Sequence, residues 1–290
     1  MPSLIDIRRR IRSVRNTQQI TKAMKMVSAA KLRRAQDRVI GARPYAAMLR
    51  KVLGNVAAVA AADERVAAHP LLALRDEHRV QLVLVTADKG LAGAFNANLI
   101  KASQRFLADR AATAEVTVEL ELVGRKGRDF WRKRSGAAVT GQHVGLTSKP
   151  NYTAAAAIAR RLMERFADGE IDAVYLVYNE FKTVMSQKLT VKRVLPVEMP
   201  AGAAPVDYIF EQPPAVLLAD LLPRYVETEL YGALLESAAA EQAARMTAME
   251  AATSNAADMI ESLTLYMNRV RQASITKELI EVVSGAAAAE

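Results

Sequence analysis

Residues 246–274, MTAMEAATSNAADMIESLTLYMNRVRQAS, decide the fold. Met246, Met249, Thr253, Ala256, Ile260, Leu263, Met267, Val270 and Ser274 alternate steps of three and four over four heptads. A mean spacing of 3.5 residues is the seam of a coiled coil. Several seam positions hold Ala or Thr, and Ala238-Ala239-Ala240, Ala243-Ala244 and Ala251-Ala252 lie nearby. Small residues bury less area each but let two helices approach closely, which suits a slim rod. Pro213-Pro214 precedes the segment and Pro223 is the only proline after it. A helix of about seventy residues is expected, on the order of 100 Å long.

The other end of the chain offers a partner. From Ser3 to Ile40 there is neither Gly nor Pro. Leu4, Ile7, Ile11 and Val14 step by three and four, and apolar residues resume at Ile20, Met24 and Val27. Gln18 and Thr21 stand where seam residues would fall, so the stripe is expected to shift register there. Gly41 and Pro44 are positions for a bend, and an Ala-rich pattern continues to about Ala62. Residues 1–51 carry 14 Lys/Arg against Asp6 and Asp37, a net +12, whereas residues 215–290 carry 5 against 11 Asp/Glu, a net −6. Helices of opposite charge, each too long for one compact domain, are expected to pair antiparallel.

The middle has another period. Residues 79–86 form a β-branched strand that ends in Ala87-Asp88-Lys89-Gly90, and residues 115–123 alternate, with Val116, Val118, Leu120 and Leu122 on one face. Residues 172–178 and 189–197 read as further strands, the last ended by Pro196 and Pro200. Amphipathic stretches at 93–110 and 151–168 lie between strands, so a small α/β sheet with crossover helices is predicted. The domains expected are 1–62 and 214–290, the two coiled-coil helices, and 63–213, the α/β domain.

Chemistry is mostly excluded. In 290 residues there is no cysteine, which removes disulfides, thiolate metal sites and cysteine nucleophiles. The best apolar run, Val52 to Ala62, holds 11 residues and contains Asn55, too short for a membrane span. The N-terminus opens on a helical pattern instead of a signal peptide, which predicts an intracellular protein. Residues 88–96, DKGLAGAFN, sit where a phosphate loop would, yet fit neither the Walker nor the dinucleotide pattern. They and Gly124-Arg125-Lys126-Gly127 read as tight turns. His69, His78 and His143 are scattered and read as surface or loop residues. No serine lies in a triad-like context and no carboxylate pair stands out. The expectation is no catalytic residue, no metal and no cofactor.

Two stretches narrow the reading further. Residues 16–31, NTQQITKAMKMVSAAK, and 269–286, RVRQASITKELIEVVSGA, together with residues 88–96, resemble the gamma chains of F-type ATP synthases over the full chain. The resemblance implies a long antiparallel coiled coil of N- and C-terminal helices plus a small Rossmann-like α/β domain without a nucleotide. It implies a central rotor shaft that couples proton flow to ATP synthesis or hydrolysis. The implied partners are a ring of alpha and beta subunits around the shaft, and the epsilon subunit and membrane c-ring at its foot. Catalysis would then belong to beta.

The resemblance also assigns residues. Arg271, Gln272, Ser274 and Thr276 match the stretch where the upper shaft meets the ring. Met24 and Lys25 match the stretch near the acidic lever loops of beta. Tyr208 and Glu211 fall in the foot loop near the c-ring. The cysteine-bearing insertion of the chloroplast branch is missing and no transit peptide is visible, which points to the cytoplasmic face of a bacterial inner membrane. On residues alone two rivals stand beside this. One is a basic nucleic-acid binder built on Arg8-Arg9-Arg10-Ile11-Arg12, disfavoured because residues 1–44 contain no aromatic for base stacking. The other is a nucleotide-binding enzyme using the α/β domain.

Overall fold

The computed structural model describes residues 3–60, 69–112, 116–134, 136–199 and 211–287. In chain order the elements are α1 (Leu4–Ala60), a 3-10 turn (Pro70–Leu72), β1 (Arg79–Val85), α2 (Phe95–Ala111), β2 (Thr117–Val123), α3 (Arg125–Trp131), β3 (Ala138–His143), α4 (Tyr152–Ala167), β4 (Ala173–Phe181), β5 (Gln187–Leu195) and α5 (Pro214–Ala287). The two terminal helices have 57 and 74 residues, about 85 and 110 Å at 1.5 Å per residue. Pro44 and Pro223 lie inside them, and helix is continuous through Gly41 and Pro44.

The chain divides into two compact units, residues 1–29 with 245–290, and residues 30–244. The boundary cuts both long helices and does not follow the joints between helix and sheet.

The larger unit holds a five-stranded sheet of order β3-β2-β1-β4-β5. Strands β1 to β4 are parallel, and β5 returns antiparallel beside β4. The chain winds outward from β1 to β3, then crosses to the other side of β1, which places a topological switch point between β1 and β4. Alternation decides the two faces. Val83 and Val85 join Val174, Leu176, Phe166 of α4 and Leu218, Leu222 and Leu234 of α5 in one core, with Leu53 and Val56 of α1. Leu82, Leu84, Leu120 and Leu122 point the other way and are fully buried. Helices therefore cover both faces, as parallel strands require.

Sequence reading missed two elements. The turn at Gly124–Gly127 opens a helix, α3: Gly124 takes φ +95° with its Cα pressed against the carbonyl of Thr86, and the chain turns directly into Arg125–Trp131. Strand β3 was not foreseen because it is a half-exposed edge strand with little apolar content, AVTGQH. The turn after β1 is tight, with Leu91 and Gly93 both at positive φ.

Candidate functional site

In the smaller unit two helical stretches run antiparallel. Two contacts set their register: the hydroxyls of Thr21 and Thr253 lie 2.8 Å apart, and Lys25 Nζ lies 2.7 Å from Glu250 Oε1. Four residues up α1 thus match three residues down α5. Continued at equal rise, Leu4 comes level with residue ~270. The seam on α5 is the predicted one, for all nine positions from Met246 to Ser274 are buried or half-buried.

The seam on α1 differs from expectation. It does not shift register. Leu4, Ile7, Ile11, Val14, Gln18, Thr21, Lys25 and Ser28 keep the three-four spacing and are all buried or half-buried. Thr21 and Lys25 can hold seam places because their polar groups are paired; Thr21 Oγ1 also donates to the Gln18 carbonyl at 3.0 Å. Ile20, Met26 and Val27 are left exposed on the outside.

The residues singled out by resemblance fall as follows. Met24 is half-buried at the flank of the seam, and Lys25 is engaged with Glu250. Arg271, Gln272 and Thr276 are exposed, and Ser274 is half-buried. Thr276 donates to the Gln272 carbonyl at 2.9 Å and Ser274 to Glu278 at 3.1 Å, so these hydroxyls are occupied on their own helix. Arg271 makes no ion pair among the described residues. Glu211 is exposed; Tyr208 lies outside the described residues. Beyond residue 270, Ile275, Leu279, Ile280, Val282 and Val283 are exposed, Val282 at 69%. At about 100° per residue, Ile275, Leu279, Val282 and Val283 fall along one stripe of the helix and Ile280 lies about 60° to its side.

In the larger unit the carboxyl ends of the strands are closed by a carboxylate. Asp88, just after β1, is buried. Its Oδ1 accepts the N–H groups of Gly145 at 2.9 Å and Arg125 at 3.1 Å. Its Oδ2 accepts the hydroxyls of Thr147 and Ser148, each at 3.0 Å. Burial opposes its ionisation, but these four bonds outweigh burial and hold its pKa below the usual 3.8. The loops after β1, β2 and β3 are thereby knotted together. A negative charge thus stands at this end of β1, and buried Phe95 opens α2.

His143 is not the solitary residue read from sequence. Its Nε2 meets Glu121, whose buried carboxylate also takes Arg161. Alternation put Glu121 on the face under α4, but its partners were invisible because they come from two other elements, β3 and α4. Among the described residues no group of three His, Asp or Glu is placed to hold a metal.

The sequence model described as ATP synthase matches residues 3–289. The ATP synthase gamma chain of Solibacter usitatus (strain Ellin6076) is 71% identical over 290 residues, all of both chains. The chain belongs to the ATP synthase gamma chain family. That of Anaeromyxobacter sp. (strain Fw109-5) is 55% identical over 294 residues, covering 99% of each. Among solved structures, the central stalk and c-ring assembly of the Tetrahymena thermophila mitochondrial ATP synthase contains a chain with TM-score 0.58 and 26% identity, over 80% of this chain and 99% of that one. A chain of the Euglena gracilis mitochondrial enzyme shares the fold at TM-score 0.65 and 18% identity, over 98% and 94%. The protein is a stalk subunit of ATP synthase, not its catalytic one, and the nucleic-acid and nucleotide-enzyme readings fall away. No helix among the described residues is long and apolar enough to cross a membrane.

Proposed function

We propose that the chain is the rotor shaft of a proton-translocating ATP synthase, seated by α5 inside a ring of alpha and beta subunits. The observation that carries this is the end of α5. The register with α1 runs out near residue 270, yet helix continues to Ala287 with a stripe of apolar side chains exposed along it. Exposed apolar surface on this scale marks an interaction site, and a stripe left bare where α1 no longer covers it is open to neighbouring subunits. The exposed Ile20, Met26 and Val27 add an apolar outer face lower down.

Residues 1–62 and 214–290 then form the shaft, and residues 63–213 the foot, where Tyr208 and Glu211 face the c-ring and the epsilon subunit docks. The relatives' names support these partners, as does the Tetrahymena assembly, a central stalk with its c-ring. The location that follows is peripheral, on the cytoplasmic face of a bacterial inner membrane.

The shaft acts by state selection. It biases a beta subunit between open and closed forms only through contacts that differ between those forms. Met24, Lys25, Arg271, Gln272, Ser274 and Thr276 supply such contacts. Arg271 presents a fork of donors and Gln272 donors plus an acceptor, both free to reach loop carboxylates. The test is Arg271→Ala with Gln272→Ala in the assembled complex. Both side chains are solvent-exposed, so folding of the isolated chain should change by less than ~0.5 kcal/mol. Synthesis and hydrolysis should both fall. Wild-type turnover in a fully assembled mutant removes the two residues from the mechanism.

A further inference from the structure

Within the larger unit, α1, α5 and the β4–β5 hairpin enclose an open cavity of about 940 Å³, within the range that holds a drug-sized ligand. Four tyrosines wall it: Tyr45 from α1, Tyr152 from the start of α4, Tyr178 from β4 and Tyr231 from α5. Tyr152 and Tyr231 meet edge to face with ring centres 5.5 Å apart.

Charge is layered by depth. The carboxylates of Glu229 and Glu236 are 14% and 18% exposed, whereas Arg50 and Arg43, which reach them, are 51% and 52% exposed. The two acids are not equally served. Glu229 has Lys192 at 2.6 Å and Arg50 at 2.9 Å. Glu236 has only Arg43 at 3.4 Å and the Phe181 N–H at 3.3 Å. Its pKa is raised, first by burial and then by the charge of Glu180 on β4, against the pull of Arg43.

Three ligand classes can be weighed against these walls. An anion finds Arg43, Arg50 and Lys192 in the same walls, but all three are more exposed than Glu180, Glu229 and Glu236, so deeper in it meets carboxylates and is repelled. A neutral apolar molecule covers the tyrosines but leaves Glu236 under-compensated. A cation on an apolar body answers Glu236 with its charge and is attracted by tyrosine faces through their quadrupoles. We propose that this cavity binds an organic cation, a protonated amine or guanidinium carried on an apolar body, with Glu236 as counter-ion and the tyrosines as walls. The same chemistry comes either from a free amine or from a basic side chain of a neighbouring subunit.

The experiment measures binding to the folded full-length chain by calorimetry. Three probes of one shape are used: phenethylammonium, neutral 2-phenylethanol and anionic phenylacetate. The cation should bind at least tenfold more tightly than the alcohol, and phenylacetate should not bind. Glu236→Gln keeps an acceptor for the Phe181 N–H and removes the charge, so it should fold and lose the cation preference about tenfold. Tyr45→Leu, at a position 57% exposed, should fold and weaken the cation about threefold, the size of one exposed cation–π contact. Repeating the titration on the assembled ATP synthase separates the sources. Retained binding assigns the cavity to a free amine, and binding lost on assembly assigns it to a partner's basic side chain. Equal affinity for phenethylammonium and 2-phenylethanol, or a Glu236→Gln chain that keeps the preference, overturns the proposal.

Discussion

Removing the Asp88 carboxylate should loosen the carboxyl end of the sheet, and the structure sets the size of the effect. Four donors converge on its two oxygens. A hydrogen bond to a charged group contributes about 1.5–3 kcal/mol, and the cost of burying the charge offsets part of that. Asp88→Ala leaves all four donors without their acceptor and should cost about 3–5 kcal/mol, a large share of the 5–15 kcal/mol typical of a folded chain. Asp88→Asn retains an oxygen for the two N–H groups, and the hydroxyls of Thr147 and Ser148 can rotate to accept from its amide. It should cost about 1–2 kcal/mol. The assay is built in: Trp131 is the only tryptophan, is 4% exposed, and closes the helix whose first N–H Asp88 holds. Urea unfolding followed at Trp131 should show the midpoint of Asp88→Ala lowered by roughly 1.5–2.5 M, at about 2 kcal/mol per molar. The pH dependence has a fixed sign. A carboxyl whose folded pKa is depressed stabilises fully above its unfolded value, 3.8, and loses that contribution as pH falls through the folded value. The gap between wild type and Asp88→Asn should therefore be full at pH 7 and narrow below pH ~4. A cost under ~1 kcal/mol for Asp88→Ala, or a gap that widens in acid, refutes the reasoning.

Three further outcomes follow from the geometry. Gly124→Ala places a Cβ 2.1 Å from the Thr86 carbonyl oxygen at φ +95°, so unfolding should show a loss of about 3 kcal/mol or more. Lys25→Glu faces Glu250 across a pair that is 38% and 61% exposed; a double-mutant cycle with Glu250→Lys should return a coupling of only ~0.2–1 kcal/mol that shrinks in salt. Met24→Lys adds a cation beside Lys25 on the flank of the seam, and the complex should assemble while proton-driven synthesis falls relative to hydrolysis, measured on the same membranes.

The fold was legible where a period is unbroken. The Met246–Ser274 seam and the strands at 79–85 and 173–181 announce themselves by spacing and β-branching alone. The α1 seam was misread because hydrophobicity was followed past Val14, whereas Gln18, Thr21 and Ser28 hold the heptad, Thr21 with its hydroxyl bonded across the seam, and Ile20 and Val27 face outward. Tertiary pairing overrode local composition there. Asp88 could be placed at the end of a strand, but its four donors come from the stretches after two other strands, β2 and β3, a convergence that no linear spacing encodes. The cavity under Tyr178 was likewise hidden, since its walls span residues 39–236. The candidate ring contacts at Arg271 and Gln272 were legible only through family resemblance; as residues they are ordinary exposed helix.

The central claim is rotation, and the cysteine-free sequence permits a direct measurement. Met185, in the β4–β5 turn, is 81% exposed, so Met185→Cys gives a single attachment point in this chain for a light-scattering rod. With the catalytic ring fixed to a surface and ATP added, the account predicts that the rod turns continuously in one direction and stops when ATP is withdrawn. A rod that stays fixed in complexes hydrolysing ATP at the normal rate would contradict it.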